Sequence, residues 1–387
     1  MIDFSIPEDI RLLKETVRRF VTQEVQPLEA EVESLGQIPP EKLRVLKGKA
    51  QELGLFAMNM PAECGGGGLS TVEMCLVEEE LGQTSDALIR RVFGQVYPML
   101  LACRGEQRER YLLPTVRGEK ICAMAITEPG AGSDAASITT TARLDGDEWV
   151  LDGTKHFISD GDIADYTIVM AVTDREKRAR GGITLFLVDR DTPGFSMARR
   201  QPMMGHRGYG HAELSFDSCR IPRDAVMGEV GGGFRLIMSS VSAIRLGHIG
   251  ARCVGMASRV LEMMRTYATE RRQFGQPIGD FQMVQQMIAD SAAEIFAARM
   301  MVLNTAWEID QGLDPRDKVS MVKFTASEML GRVADRGIQL FGGAGYSKDL
   351  PLERIYRDAR VTRIYDGTSE IHRMLVARGV MKHGLPL

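Results

Sequence analysis

The feature that most constrains the fold is a change of hydrophobic period that occurs twice along the chain. From Pro7 to about Leu35, apolar residues fall at Ile10, Leu13, Val17, Phe20, Val21, Val25 and Leu28. That is the i, i+3, i+4, i+7 spacing of an amphipathic helix. Pro39-Pro40 opens a second helix that ends near Gly54. After a glycine-rich connector at 65–68, Ser70 and Glu73 are spaced as a capping box for a third. Around Cys122 short β-rich runs take over, at 138–144, 149–151, 166–172, 183–188 and 213–216. Turn dipeptides Asp145-Gly146, Asp152-Gly153 and Pro193-Gly194 separate them. From Gly231 the helical period returns, with long stretches at 254–271, 281–311 and 318–340. The expected organisation is therefore helical, then a compact antiparallel β domain, then an antiparallel helical bundle.

Composition narrows the function classes. A net charge of −4 across 387 residues argues against a dedicated nucleic-acid surface. Six cysteines, Cys64, Cys75, Cys103, Cys122, Cys219 and Cys253, show no C-x-x-C spacing, and they read as buried thiols in a reducing compartment. The histidines lack metal-ligand spacing. No apolar stretch is long enough to cross a bilayer. The opening MIDFSIPEDI lacks a basic region followed by an apolar one, so no secretory leader is expected and the cytoplasm is the expected location.

Three segments carry chemistry. The first, Thr127-Glu128-Pro129-Gly130-Ala131-Gly132-Ser133-Asp134, stands where helix gives way to strand. Its glycines let backbone approach a flat or anionic ligand, and Thr127 and Ser133 supply hydroxyls. The second is Arg271-Arg272-Gln273-Phe274-Gly275-Gln276-Pro277-Ile278, followed by Phe281-Gln282. The third joins Gln339-Leu340-Phe341-Gly342-Gly343-Ala344-Gly345 to Ile364-Tyr365-Asp366-Gly367-Thr368-Ser369-Glu370. In this order and on this layout, the segments resemble the signatures of the acyl-CoA dehydrogenase family over nearly the whole chain.

The resemblance implies an α+β fold: an N-terminal all-α domain (1–121), a middle antiparallel β-barrel-like domain (122–230) and a C-terminal four-helix bundle (231–387). It implies FAD as cofactor, held by Thr127, Gly132, Ser133, Phe157, Ser159, Arg271, Phe274, Gln282, Gln339, Gly343, Thr368 and Glu370. An arginine at 271 suits a pyrophosphate because its planar fork matches phosphate oxygens. Gln339 and Gly343 are expected from a neighbouring subunit, hence a homo-oligomer, a dimer or a dimer of dimers. The implied reaction removes the α-proton of an acyl thioester while the β-hydride passes to the flavin. The thioester is expected to meet Ser133, Arg245, Tyr365 and Gly367. Electrons are expected to leave through an electron-transfer flavoprotein; no nucleic-acid or membrane partner and no metal are expected.

The family's base position falls on Asp366, where glutamate is usual. Its place just before a helix capped by Thr368 is expected to favour the ionised carboxylate. The alternative base position, on the first bundle helix, reads Ala243-Ile244-Arg245-Leu246-Gly247 and holds no carboxylate. Aspartate is shorter by one methylene, and a misplacement of about 1 Å can cost roughly a hundredfold in rate. The family's Trp-Ile-Thr reads Phe157-Ile158-Ser159, and Tyr209 and His211 replace smaller polar groups. Arg90-Arg91 lies where the acyl pocket is expected, although paired arginines are usually solvated. Alternatives are a flavin oxidase of the same fold, resembling nitroalkane oxidase, a dehydrogenase of carrier-protein thioesters, and a DNA-binding relative, which the acidic charge disfavours.

Overall fold

The structure, a computed structural model, describes residues 6–94 and 96–384; the opening residues 1–5, part of the leader reading, lie outside them. Helix Glu8–Phe20 runs through a widened turn, Val21–Val25, and a tight one, Gln26–Leu28, into helix Glu29–Leu35. The amphipathic stripe expected over one helix is thus kept across two breaks. Pro27 supplies the reason, since it has no N–H for the helical ladder. Ser70 and Glu73 make the reciprocal cap of helix Thr71–Leu81, with Glu73 N–H to Ser70 Oγ at 3.3 Å and Ser70 N–H to Glu73 Oε2 at 2.8 Å.

The middle of the chain forms one sheet. Its strands are β1 (Cys122–Ala125), β2 (Thr141–Asp145), β3 (Glu148–Ser159), β4 (Tyr166–Val172), β5 (Ile183–Asp189), β6 (Phe195–Arg200), β7 (His211–Pro222) and β8 (Val226–Met227). The spatial order is β6-β7-β3-β2-β4-β5-β8, with β1 beside β4. Most ladders are antiparallel, but β1 runs parallel to β4, and β2 meets β4 in parallel at Thr141. The antiparallel expectation needs that correction: β1 enters from the helical domain and has no hairpin partner to reverse against. Successive residues of a strand face opposite ways, and β4 uses both faces. Tyr166, Ile168 and Met170 pack with the helical core of Met99, Leu100 and Ile237. Val169 and Ala171 pack with Trp149, Phe186 and Leu214 inside the sheet layer.

Beyond the sheet the longer helices are Gly233–Ile244, Arg252–Glu270, Gln282–Asp310, Arg316–Phe341, Leu352–Val361 and Ser369–His383. The first two are joined by a widened helical segment, Arg245–Ala251, with no break in direction. Val254, Val260, Val302, Val322 and Val333 form the bundle core. Helix Thr71–Leu81 crosses Arg252–Glu270 at glycines: a Cβ on Gly255 would lie 1.9 Å from the Glu79 carbonyl oxygen. That close crossing brings Glu78 against Arg252.

Candidate active site

Asp366 sits in the turn before helix Ser369–His383, with φ at 54°. A non-glycine residue takes this conformation only where its surroundings hold it, and three side chains do so here. Arg245 Nε donates to the Asp366 carbonyl oxygen at 2.8 Å, and His372 Nε2 lies 3.2 Å from the same oxygen. Lys323 Nζ donates to the Gly367 carbonyl oxygen at 2.5 Å. Lys323 and His372 are fully buried. Burial, with Arg245 adding to it, lowers His372 to about 4, so the imidazole is neutral and Nε2–H is the donor. Burial also brings Lys323 down to about 8, against the opposing pull of Asp366.

The carboxyl of Asp366 keeps part of its surface open, yet the surrounding protein removes most of its water. That burial raises its pKa above the ordinary aspartate value, against the opposing pull of Arg245, Lys323, His248 and Arg90. The expected preference for ionisation from the helix N-terminus is therefore overturned by desolvation. Thr368 does cap the helix, its hydroxyl accepting from Ile371 N–H at 3.3 Å. The buried face of that helix is Ser369 and His372, while Met374 and Leu375 stay exposed.

Behind the loop lies a network of buried charges. Arg252 donates to Glu78 from Nε (2.5 Å) and from Nη2 (3.2 Å), and to Asp86 from Nη1 (2.8 Å). Burial pushes Glu78 up, but Arg252 and His248 outweigh it and hold it at about 2. Arg90 and Arg91 both reach Asp160, at 2.8 and 2.5 Å. They are buried, not solvated, because β3 ends at Ser159 and delivers Asp160 between them. Tyr209 donates to Asp86 at 3.0 Å and meets His206 Nδ1 at 2.6 Å. His206 in turn lies 6.1 Å, ring to ring, from Tyr365. Since His211 pairs with Ser159 in the sheet, one aromatic cluster runs from the end of β3 to the residue before Asp366.

The first motif folds over a buried pair. Lys155 donates to Glu128 at 2.9 Å and to the Ile126 carbonyl oxygen at 3.0 Å. Glu128 also accepts from Thr139 and Thr140. Burial raises its pKa, but Lys155 and these donors prevail and hold it at about 2. The pair fixes the turn so that Gly132 and Ser133 lie exposed at its tip. Thr127 accepts from His156 N–H at 2.8 Å through its carbonyl oxygen. Phe157, at φ 58°, is tied by Gln201 and leaves 49% of its surface open beside Ser159.

The second motif and the 339–345 part of the third form a separate group at one end of the bundle. Arg271 ends helix Arg252–Glu270, and Phe274, 95% exposed, tips a two-residue hairpin. Gln282, Gln339 and Gly343 are exposed as well, and stacking of Tyr267 on Phe341 at 4.1 Å places the last two near the hairpin. Glu370 is exposed at the start of the last helix. Among the described residues no hydrogen bond joins the hairpin to the sheet.

Comparison with known proteins decides what this arrangement is. Three family models match in sequence: the acyl-CoA dehydrogenase N-terminal domain over residues 7–119, its middle domain over 123–219 and its C-terminal domain over 231–381. The chain belongs to the acyl-CoA dehydrogenase family. It is 38% identical to acryloyl-CoA reductase (NADH) of Anaerotignum propionicum, covering 98% of this chain and 96% of that one. It is likewise 38% identical to the bovine mitochondrial short-chain specific acyl-CoA dehydrogenase, over 98% and 91%. A solved FAD complex of PigA superposes with a TM-score of 0.90 at 27% identity, over 98% and 99%.

This acyl-CoA dehydrogenase is thus an oxidoreductase acting on the CH–CH bond of acyl-CoA, with FAD as its cofactor. The residues fit that group: a half-buried hydroxyl at Thr127, an exposed one at Ser133 beside exposed glycine backbone, a half-open aromatic face at Phe157, and an exposed cation at Arg271. Sequence reasoning missed Lys323, His372, Glu78 and Arg252. The partners of Lys323, Glu78 and Arg252 lie tens to hundreds of residues away, His372 reaches a main-chain oxygen six residues back, and only the Glu78 position, amid a buried apolar helix, offered a signal.

Proposed function

We propose that Asp366 is the base that takes the α-proton of an acyl-CoA thioester. The clamp on its carbonyl oxygen by Arg245 and His372 is the observation that carries this reading. A base must be held within about 0.5 Å of its productive position, and the shorter aspartate makes a rigid loop more necessary. Burial of the carboxyl raises its basicity toward the range a general base needs. Gly367 and Tyr365 flank it and are proposed, with Ser133, to meet the thioester.

FAD, when bound, supplies the acceptor for the β-hydride. Thr127, Ser133, Phe157 and Ser159 are proposed to hold it from one chain, and Arg271, Phe274, Gln282, Gln339 and Gly343 from a second copy. The wide separation of these two groups along the fold supports a homo-oligomer. Thr368 and Glu370 complete the site beside Asp366. Electrons are proposed to leave through an electron-transfer flavoprotein, and the enzyme to work in the cytoplasm.

Anaerobic titration of the FAD-loaded protein with straight, branched and cyclic acyl-CoAs tests the reaction. Bleaching of the visible flavin band by one class is the expected result. A yellow protein that no acyl-CoA bleaches, and that consumes oxygen with another carbon acid, would overturn it.

A further inference from the structure

Ser159, His211 and Gln201 form a row across three strands. Ser159 pairs with His211 between β3 and β7. Arg200 pairs with Ala212 between β6 and β7, and the next residue, Gln201, donates its N–H to the His211 carbonyl oxygen at 2.7 Å. Directly opposed residues of a ladder share a face, and at the usual strand spacing the row spans about 10 Å. Ile158 and Ala212, one step along their strands, are buried in the core of the sheet layer. The row therefore faces away from that core, and the half-open ring of Phe157 belongs to the same end of β3.

Two members of the row hold buried polar atoms without partners. Gln201 is oriented by its Oε1, which accepts from Phe157 N–H at 2.9 Å. That leaves its Nε2 as a donor, buried and with no hydrogen-bond partner among the described residues, and His211 Nδ1 is in the same position. Burial, with His206 and Arg90 adding to it, lowers His211 to about 4 against the pull of Asp160 and Asp86. The imidazole is thus neutral and offers one donor and one acceptor nitrogen. Its ring is packed against Tyr209 at 5.0 Å and His206 at 6.4 Å. Folded chains leave few buried polar groups unpaired, because each forfeits its bond to water. Two in one row, beside residues assigned to the cofactor, call for a ligand with hydrogen-bonding atoms on a flat edge.

We propose that Gln201 and His211 hydrogen-bond the isoalloxazine ring of FAD, extending the contact that Ser159 begins. The inference rests on the reading that places Phe157 and Ser159 at the cofactor, and it adds two binding residues to that site. The ring carries carbonyl oxygens and bare nitrogens that accept from such donors. Negative charge gathers on those atoms when the ring is reduced, so donors held against them favour the reduced form.

The test reads FAD affinity by titrating the full-length FAD-free chain, and the flavin reduction potential by dye equilibration in the reloaded enzyme. The variants are His211→Leu and Gln201→Glu; the glutamate keeps an oxygen for Phe157 N–H and removes the donor. Each should weaken FAD binding about tenfold, the effect of one well-made hydrogen bond, and move the potential to more negative values. His211→Asn, whose amide reaches as far as Nδ1, should restore most of the affinity. The melting temperature of the FAD-free chain should not fall in His211→Leu, since the Nδ1 it removes has no partner there. A lower melting temperature with affinity and potential unchanged would show a structural role and overturn the proposal. So would a loss confined to acyl-CoA binding, which would assign the pair to the thioester. Ser159→Ala separates the two readings. If it weakens FAD binding while His211→Leu and Gln201→Glu do not, the cofactor assignment stands and this inference falls. If none of the three alters FAD affinity or the flavin spectrum, the cofactor does not lie against this face and both fall.

Discussion

The loop at Asp366 and the hairpin at Phe274, proposed as two parts of one site, are built on opposite terms. The loop is finished within a single chain: two carbonyl oxygens are clamped, and the charges behind it are paired across helices far apart in sequence. The hairpin carries a phenylalanine with 95% of its surface open, held only by local contacts such as the edge of Phe281 and Arg272 on the Gly275 carbonyl oxygen. On the proposed reading, the contrast means that a single chain encloses the acid–base chemistry by itself and leaves the cofactor side to be covered by a second copy.

The sharpest way to break that comparison is at the base. Asp366→Asn should lower turnover by about a thousandfold, within the range of general-base catalysis, with FAD content unchanged. Stopped-flow flavin reduction measures it, and a loss below tenfold would remove Asp366 from the reaction. In the unmodified enzyme, kcat/KM should rise with pH through the raised pKa of Asp366. Its acid limb should therefore lie above the ordinary aspartate value.

The buried network comes next. Arg252→Ala leaves Glu78 and Asp86 buried without their cation, and roughly 3–5 kcal/mol of stability should be lost, read by denaturant unfolding. A smaller effect is expected from pH. Glu78 and Glu128 sit at about 2 in the folded chain against 4.5 as free side chains. Their contribution is complete above about 4.5 and is lost as pH falls toward 2. Glu128→Gln should flatten the slope of melting temperature against pH in that window; an unchanged slope would show that the pair does not act this way.

The smallest effect on the single chain belongs to the hairpin. Phe274→Ala should leave the melting temperature of the FAD-free protein unchanged, because the ring buries almost nothing there. FAD retention on gel filtration should nonetheless fall. A drop in the melting temperature without loss of FAD would mean that the hairpin, like the base loop, is a part the chain completes alone.

Much of this was legible in the sequence. The run 166–172 became β4 without adjustment, since seven successive apolar or small residues can only lie between two packed layers. The Ser70–Glu73 cap also formed as spaced. Strand β6 was not foreseen: five of its six residues are exposed, so it carries no alternation, and its pairing with β7 holds it. The site divides the same way. Asp366 and the glycine turns were marked by local motif, whereas Arg90 and Arg91 read as solvated because Asp160, 70 residues on, has no local signal. The clamp of Lys323 and His372 was equally hidden, since it consists of side chains reaching main-chain oxygens.

The widened segment Arg245–Ala251 sets the rotational phase between two working positions of one helix. Arg245 upstream holds the base loop, and Arg252 downstream holds Glu78. Removing one residue between them would turn everything beyond by roughly 100°, swinging Arg252 away from its carboxylates while Arg245 stayed in place. The length of this stretch therefore cannot change by one. A library of single-residue deletions along the chain should find here a position as intolerant as the base itself.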